Sequence, residues 1–325
     1  ARRARRTRRH RRTRNLLGLS ALGAAVAVVV LAIGAGQPSS RLGSVSAGHA
    51  VRLPAIGPRP RRDRREPYAT ALAPARIHVK LKLGLASGLL FDVRTGRVLW
   101  RRDPGRPRPI ASLTKMMTAL VALQHSRPSA RVLITRDAVR FSGSGVGLLP
   151  RGKQVRLETL LYGLLLPSGN DAAIALAEHV AGSQMRYIGL MNQRARAMGL
   201  TCTHFSTVSG IVDQGNYSCA TDLAIIAHAV LEEPLLRRVV GSRDAVLPLP
   251  IKGGKVFLYN NNPLLRNRYP GVDGVKTGFT TLAGPCLVAS ARRRHRWLGV
   301  VLLDSRDPPD QAMQLLNAGF AARDA

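Results

Sequence analysis

A serine and a lysine three positions apart are the first residues in this chain that could do chemistry together. Ser112 and Lys115 lead into a segment, 116–124, whose apolar residues recur at helical spacing. Three residues make about one helical turn, so the hydroxyl and the amine can meet on one face. Ser112 alone could be a helix cap. A cap does not need a cation, because the N-terminal end of a helix disfavours positive charge. The pair therefore suggests a hydroxyl nucleophile beside an amine of depressed pKa.

Two later segments carry polar groups of the same kind. Ser168 and Asn170 lie in a break between two helical patterns, where either side chain could simply cap the next helix. Lys276, Thr277 and Gly278 lie in a strand-like segment, where a glycine suggests close approach of another backbone or of a ligand. Each segment has a plain structural explanation by itself. In this order, S-x-x-K, S-x-N and K-T-G form the motif set of penicillin-binding proteins and class A β-lactamases.

The sequence around the motifs closely resembles one group of penicillin-binding proteins, the low-molecular-mass serine D-alanyl-D-alanine carboxypeptidases. The resemblance covers about residues 86–322, and its strongest segments are Ala111–Ala119, Leu166–Ala173 and Gly271–Thr280. It implies an α/β (α+β) domain of the β-lactamase/transpeptidase-like fold. Such a domain has an antiparallel sheet flanked by helices, with an inserted helical lobe.

The resemblance also implies the catalytic roles. Ser112 would attack the carbonyl of the D-Ala-D-Ala amide and form an acyl-enzyme, with Lys115 as base and Ser168 as proton relay. No histidine lies near the motifs, so Lys115 must be neutral when it acts. A second cation nearby, Lys276, would lower the pKa of Lys115.

The remaining motif residues are expected to bind substrate. Asn170 would hydrogen-bond the catalytic lysine and the substrate amide, while Lys276 and Thr277 would bind the terminal carboxylate. Gly278 lacks a side chain that would block the helix of the nucleophile. The backbone N–H of Phe279, together with that of the nucleophile, would form an oxyanion hole.

The expected substrate is the D-Ala-D-Ala end of a peptidoglycan stem peptide, and β-lactams are the expected covalent inhibitors. Class A β-lactamases hydrolyse their acyl-enzyme with a glutamate that follows the S-x-N motif, but no glutamate lies between Glu178 and Glu232. We therefore expect a slowly hydrolysed β-lactam adduct. A β-lactamase-like hydrolase and a non-catalytic penicillin-binding wall protein are the alternatives. The sequence leaves open whether the acceptor is water or an amine, and which residue stands third in the stem peptide.

Cysteine and histidine spacing predicts neither a metal site nor a cofactor. The cysteines Cys202, Cys219 and Cys286 show no CxxC pair and no Cys/His ligand spacing. We interpret them as three buried thiols, while a bridge between Cys202 and Cys219 stays open if the domain lies in an oxidising compartment.

Composition divides the chain into four parts. Residues 1–15 hold nine arginines and no acidic residue, which predicts a basic cytoplasmic tail. Residues 16–36 carry no charge and would form about 31 Å of helix, which is long enough for a transmembrane signal anchor. Residues 37–76 form a Pro- and Arg-rich disordered linker, and 77–325 form the catalytic domain. We expect a single-pass protein of the cell membrane with an extracytoplasmic catalytic domain. Secretion after signal cleavage is the alternative.

The net charge of +32 raises the possibility of nucleic-acid binding. The first fifteen residues contribute +9 and the linker +6, and the remaining +17 is mostly scattered arginine. No single basic stripe emerges, so we predict no nucleic-acid partner.

Hydrophobic periodicity predicts strands at both ends of the domain and helices between them. We expect a hairpin at 88–100, helices at 157–193 (broken at 167–169 and 182–183) and 220–232, strands at 272–280, 286–291 and 297–303, and a closing helix at 311–322. Residues 292–296 are predicted to be an exposed turn. This order suggests one sheet built from both ends of the domain, with a helical lobe inserted.

Overall fold

The structure, a computed structural model, describes residues 77–81 and 84–322. The predicted tail, anchor and linker, 1–76, lie outside the described residues. Within the part that is described, no helix is both long and apolar enough to cross a membrane.

The elements follow one another in chain order. The strands are β1 (Leu85–Asp92), β2 (Val98–Arg102), β3 (Arg108–Pro109), β4 (Arg131–Leu133), β5 (Gln154–Arg156), β6 (Tyr217–Ser218), β7 (Asp244–Pro248), β8 (Lys255–Tyr259), β9 (Val272–Thr280), β10 (Gly284–Arg293) and β11 (Arg296–Ser305). The helices are α1 (Lys115–His125), α2 (Arg136–Val139), α3 (Leu157–Leu165), α4 (Asn170–Ala181), α5 (Gln184–Ala197), α6 (Ala220–Glu232), α7 (Pro234–Gly241), α8 (Pro263–Arg266) and α9 (Pro308–Ala321). A 3-10 turn, Ala111–Thr114, leads directly into α1.

An antiparallel sheet forms the centre of the described residues, with strand order β2-β1-β11-β10-β9. Its strands come from both ends of the domain, as the sequence predicts. Both faces are covered, because α6 packs on one side and α9 on the other. Successive residues of β1 therefore enter different cores: Leu89 and Phe91 join the core beneath the helical lobe, and Leu90 joins the core beneath α9. Burial on both faces explains the nearly continuous apolar sequence of this strand.

The helical lobe is inserted between β2 and β9, and α4 lies at its centre. This helix packs against α1, α2, α3 and α5. Nearly every residue of its first two turns is buried, from Asn170 to Ala177. The turn Ala111–Thr114 packs against edge strand β9 on one side and continues into α1 on the other. The first motif thus lies at the junction of lobe and sheet.

The predicted helices and central strands are confirmed to within a few residues at their ends, but one hairpin was not predicted. Strands β7 and β8 pair from Asp244↔Tyr259 to Pro248↔Lys255 across a turn that contains Gly253. Each strand is short, and alternate residues are half-buried in β7 and buried in β8. Short alternating segments of this kind give a weak signal beside the long helices around them.

The arginine-rich turn between β10 and β11 is only partly the exposed tip that the sequence predicts. Arg294 is exposed at the turn. The guanidinium of Arg293, however, lies 4.7 Å from the ring centre of Tyr269 and 4.6 Å from that of Phe320. Arg296 Nη1 donates to the Gly319 carbonyl of α9. Some of these arginines therefore hold the closing helix against the sheet rather than extending into solvent.

The packing of α9 on the sheet can be tested by truncating one buried side chain. Leu316 is fully buried in the core beneath this helix. Leu316→Ala should lower the free energy of unfolding by ~2–5 kcal/mol, because it removes buried methyl groups and leaves a cavity. Chemical denaturation measures the loss. Gln314→Ala, two residues earlier on α9 and partly exposed, is the matched control. Equal effects of the two substitutions would contradict the packing described.

Candidate active site

The side chains of Ser112 and Lys115 meet as their spacing predicts. Lys115 Nζ donates to Ser112 Oγ over 2.8 Å, and to the Ser209 carbonyl oxygen over 2.8 Å. Neither the 3-10 turn nor α1 has a side-chain cap at its start. Ser112 is therefore not a helix cap, and its hydroxyl is engaged by the amine.

Lys115 is fully buried, and this burial changes its protonation. Burial, followed by the positive charge of Lys276, lowers the pKa of Lys115 well below 10.5, while the negative charge of Asp171 opposes the shift. Lys276 is buried as well, and desolvation lowers its pKa to about 7. An ammonium loses its hydration when buried, so the neutral amine becomes accessible near neutral pH. This is the form that a lysine base needs.

The loop 202–219 makes hydrogen bonds to Lys115 and to the residues around it. The Ser209 carbonyl of this loop accepts from Lys115. The neighbouring Val208 carbonyl accepts from Thr118 Oγ1 over 2.6 Å. Asn216 Nδ2 donates to Thr114 Oγ1 over 2.8 Å. Thr114 and Thr118 belong to the nucleophile's turn and to the next turn of α1, so the loop is bonded to the same element that carries the lysine.

Gly210 lets this loop approach the backbone that leads to the nucleophile. Its φ is +77°, and a Cβ placed there would lie 1.9 Å from the Ala111 carbonyl oxygen. Only glycine fits such a contact and such a backbone angle. Any larger residue would push the loop, and with it the Ser209 carbonyl, away from Lys115.

A disulfide closes the base of this loop. Cys202 and Cys219 are bonded, with Cα atoms 5.8 Å apart. The bridge that the sequence left open is therefore formed, and the interpretation of three buried thiols is wrong for this pair. Cys286 is free and buried. Sequence alone could not give the separation of two residues 17 positions apart. Among the described residues, Cys202 and Cys219 also lie together with Asp222 in the spacing of a metal site, but their sulfurs are joined to each other.

The second motif is buried at the start of α4, which packs against α1, and two of its polar atoms have no partner among the described residues. Ser168 is 5% exposed and has a φ of +69°, and its Oγ has no hydrogen-bond partner among the described residues. Asn170 is 3% exposed. Its Nδ2 donates to the Ser142 carbonyl, and its Oδ1 has no partner within the described chain. The predicted hydrogen bond from Asn170 to Lys115 is not formed here. Neither residue caps α4 with its side chain, because Gly169 stands at the cap position.

The third motif lies on β9, the edge of the sheet that faces Ser112. Lys276 Nζ donates to the Thr277 carbonyl over 2.8 Å. A Cβ on Gly278 would lie 3.0 Å from the Ile110 carbonyl oxygen and 3.2 Å from the Ser112 nitrogen. A side chain at Gly278 would therefore crowd the backbone of the Ser112 segment, and the role predicted for this glycine fits these distances. Phe279 follows Gly278 and is 67% exposed.

Several residues that shape the site were not singled out by sequence reasoning. Ser209 acts through its backbone carbonyl, which any residue type would provide, so its residue type did not indicate this contact. Asp171 accepts from the Val146 nitrogen with Oδ1 and from the Gly147 nitrogen with Oδ2, both over 2.9 Å. It thereby fixes the loop that lies against Asn170. Its place next to the S-x-N motif was the only hint.

Comparisons with known proteins place this chain in one family. The model of the D-alanyl-D-alanine carboxypeptidase family matches residues 77–307. A D-alanyl-D-alanine carboxypeptidase of Bacillus subtilis is 33% identical over 70% of this chain, and the chain spans only 59% of the length of that relative. One of Mycobacterium tuberculosis is 35% identical over 72% of this chain and 81% of its own length.

A solved structure gives the same result for the fold. A serine-to-alanine variant of a Streptomyces DD-transpeptidase superimposes with a TM-score of 0.70 at 33% identity, over 75% of this chain and all of the other. The β-lactamase/transpeptidase-like fold is thereby confirmed. The matching motifs, the shared fold and the extent of the similarity show that this chain belongs to the D-alanyl-D-alanine carboxypeptidase family.

Proposed function

We propose that this protein is a serine-type D-alanyl-D-alanine carboxypeptidase, which removes the terminal D-Ala from peptidoglycan stem pentapeptides. The observation that carries the proposal is the contact of 2.8 Å between Ser112 Oγ and the amine of a fully buried Lys115. A hydroxyl next to an amine of lowered pKa is the arrangement that nucleophilic acyl transfer requires.

In the acylation step, neutral Lys115 accepts the proton of Ser112 as Oγ attacks the carbonyl carbon of the scissile amide. The backbone N–H groups of Ser112 and Phe279 stabilise the oxyanion that forms, an effect typically worth ~3–4 kcal/mol. The C–N bond then breaks, and the leaving D-Ala nitrogen takes up the proton. Ser168, whose buried Oγ has no partner in the described residues, relays the proton between the amine and the leaving group.

In the deacylation step, water adds to the ester carbonyl. A proton of this water passes through Lys115 to Ser112 Oγ as the ester bond breaks, which restores the Ser112 hydroxyl.

The other motif residues bind the substrate before acylation. Lys276 and Thr277 bind its terminal carboxylate, and Asn170 hydrogen-bonds its amide. The unpartnered Oδ1 of Asn170 supports this role, because a buried acceptor without a donor costs free energy until a ligand supplies one. An amine in place of water would give transpeptidation, the activity named for the Streptomyces relative.

The proposed location follows from the sequence outside the described residues. The uncharged segment 16–36 would act as a membrane anchor, with the arginines of 1–15 on the cytoplasmic side and 37–76 as a linker. The catalytic domain, 77–325, would then lie outside the cytoplasm, where D-Ala-D-Ala ends occur. Secretion after cleavage of the segment is the alternative.

The nucleophile and the base can be tested with one substitution each. Ser112→Ala should abolish both D-Ala release from a pentapeptide and covalent labelling by a fluorescent penicillin. Lys115→Arg should slow both by at least ~100-fold, because arginine cannot act as a base at neutral pH. Ser242→Ala and Lys153→Arg, at residues away from the motifs, are the matched controls. Normal labelling of Lys115→Arg would contradict the lysine-base mechanism. A folded wild type that labels but releases no D-Ala would favour a non-catalytic wall protein.

The influence of Lys276 on Lys115 predicts a pH shift with a definite sign. Acylation needs neutral Lys115, so its rate rises as the pH passes the pKa of this amine. Lys276→Gln removes the neighbouring positive charge that lowers the pKa of Lys115. The rising limb of penicillin acylation should therefore move to higher pH by about one unit. Stopped-flow labelling across pH 5–10 measures the shift, with the exposed Lys252→Gln as control. A limb that stays in place or moves to lower pH would refute the coupling.

The β-lactam adduct should be long-lived. The absence of a glutamate between Glu178 and Glu232 leaves no residue of the type that class A β-lactamases use to hydrolyse the ester. Mass spectrometry of the full chain should show one penicilloyl group that persists for many minutes and is missing from Ser112→Ala. Hydrolysis of a chromogenic cephalosporin at thousands of turnovers per minute would instead support the β-lactamase alternative.

A further inference from the structure

A hydrogen bond joins the disulfide-closed loop 202–219 to the end of strand β9. Thr280 Oγ1 donates to Asp213 Oδ1 over 2.7 Å, although the two residues are 67 positions apart. The same hydroxyl accepts from the Ala283 nitrogen over 3.1 Å, which closes the turn after the strand. Thr280 directly follows Phe279, whose backbone N–H is assigned to the oxyanion hole. The bond to Asp213 therefore lies one residue away from a group that the proposed reaction needs.

The two N–H groups of the oxyanion hole belong to different elements. Ser112 lies in the 3-10 turn that leads into α1, and Phe279 lies on the edge strand β9. The spacing of the two groups therefore depends on how this turn and this strand are held together. Both donors must come within about 2.7–3.1 Å of the oxyanion to stabilise it. A small separation of the two elements would weaken the hole.

Steric contact sets only the lower limit of that spacing. A Cβ on Gly278 would lie 3.0 Å from the Ile110 carbonyl oxygen and 3.2 Å from the Ser112 nitrogen, so strand and turn are in close backbone contact. Such a contact prevents closer approach but not separation. Phe279 is 67% exposed, so packing of its ring holds its backbone only weakly. Within the described chain, no strand pairs with the outer edge of β9. An attractive contact is needed at this end of the strand.

The loop 202–219 can supply that contact, because it is fixed to the same turn from the other side. The disulfide closes the base of the loop, and Asn216 Nδ2 donates to Thr114 Oγ1 of the turn over 2.8 Å. The turn thus has the loop on one side and β9 on the other. The bond between Asp213 and Thr280 joins these two neighbours of the turn directly to each other.

We propose that Asp213 is a positioning residue for the reaction: by holding Thr280, it keeps the Phe279 N–H at the spacing from Ser112 that the oxyanion hole requires. The inference rests on the proposed function and adds to it a residue outside the three motifs. Asp213 acts through Thr280 and the backbone of β9 rather than on the substrate. The oxyanion forms in acylation and again in deacylation. Loss of the contact therefore slows whichever step limits turnover and leaves substrate binding largely unchanged.

Release of D-Ala from a pentapeptide by the full chain in detergent tests the proposal. Active sites are counted by penicillin labelling, so that misfolded molecules do not enter kcat. Asp213→Ala should lower kcat about tenfold and leave KM within about twofold, because the lost interaction supports the transition state. Asp213→Asn keeps an oxygen that can accept from Thr280 and should retain most of the wild-type kcat. Gln214→Ala, at the exposed neighbour in the same loop, is the matched control.

The partner residue gives a second, independent measurement. Thr280→Val removes the donor and should lower kcat by a similar factor, whereas Thr280→Ser keeps a hydroxyl and should retain most of the activity. The double variant Asp213→Ala/Thr280→Val should lose about as much as either single variant, because both substitutions break the same interaction.

The outcomes separate the inference from the function on which it rests. An unchanged kcat in Asp213→Ala would overturn the inference and leave the carboxypeptidase intact. So would a rise in KM without a fall in kcat, a loss in Asp213→Asn as large as in Asp213→Ala, or additive losses in the double variant. No D-Ala release and no penicillin labelling by the wild type would overturn the proposed function itself.

Discussion

The burial of one amine is the constraint on which the site depends. Lys115 is fully buried, and a second buried amine, Lys276, contributes to its low pKa. Burying an ammonium without compensation is costly, so the neutral form is favoured. The remaining N–H groups are still satisfied, because the Ser112 hydroxyl and the Ser209 carbonyl both accept from Nζ. The basicity and the orientation of Lys115 therefore have the same structural cause.

That constraint requires three separate parts of the chain to meet. The turn Ala111–Thr114 is held between edge strand β9 and the disulfide-closed loop 202–219. Glycines occupy both contacts: a Cβ on Gly278 would lie 3.0 Å from the Ile110 carbonyl oxygen, and one on Gly210 would lie 1.9 Å from that of Ala111. Backbone therefore packs against backbone on each side of Ser112. Such contacts leave little freedom for the position of the serine.

The second motif differs from the first, because two of its buried polar atoms make no hydrogen bond within the described residues. Ser168 Oγ and Asn170 Oδ1 are both buried without partners among the described residues, although Asp171 next to them accepts several backbone N–H groups. Stability alone would favour satisfied or apolar groups at these positions. Unmet hydrogen-bonding capacity beside a nucleophile is what a preorganised binding site retains for its ligand.

The sequence by itself predicted the candidate site residues and determined the outline of the fold. The motif residues Ser112, Lys115, Ser168, Asn170 and Lys276 could be named from residue type, order and spacing, and the long helices and central strands from hydrophobic period. The contact between Ser112 and Lys115 could be predicted from local geometry, because one helical turn brings the two side chains together without any contact from the rest of the chain.

The tertiary structure alone decided what surrounds those residues. The contact of the Ser209 carbonyl with Lys115 and the Cys202–Cys219 bond depend on contacts between distant segments. Sequence spacing carries no information about such contacts. A backbone carbonyl has no residue signature. The depression of the pKa of Lys115 also required the fold, since burial is its largest cause, and burial is a property of the whole packed domain.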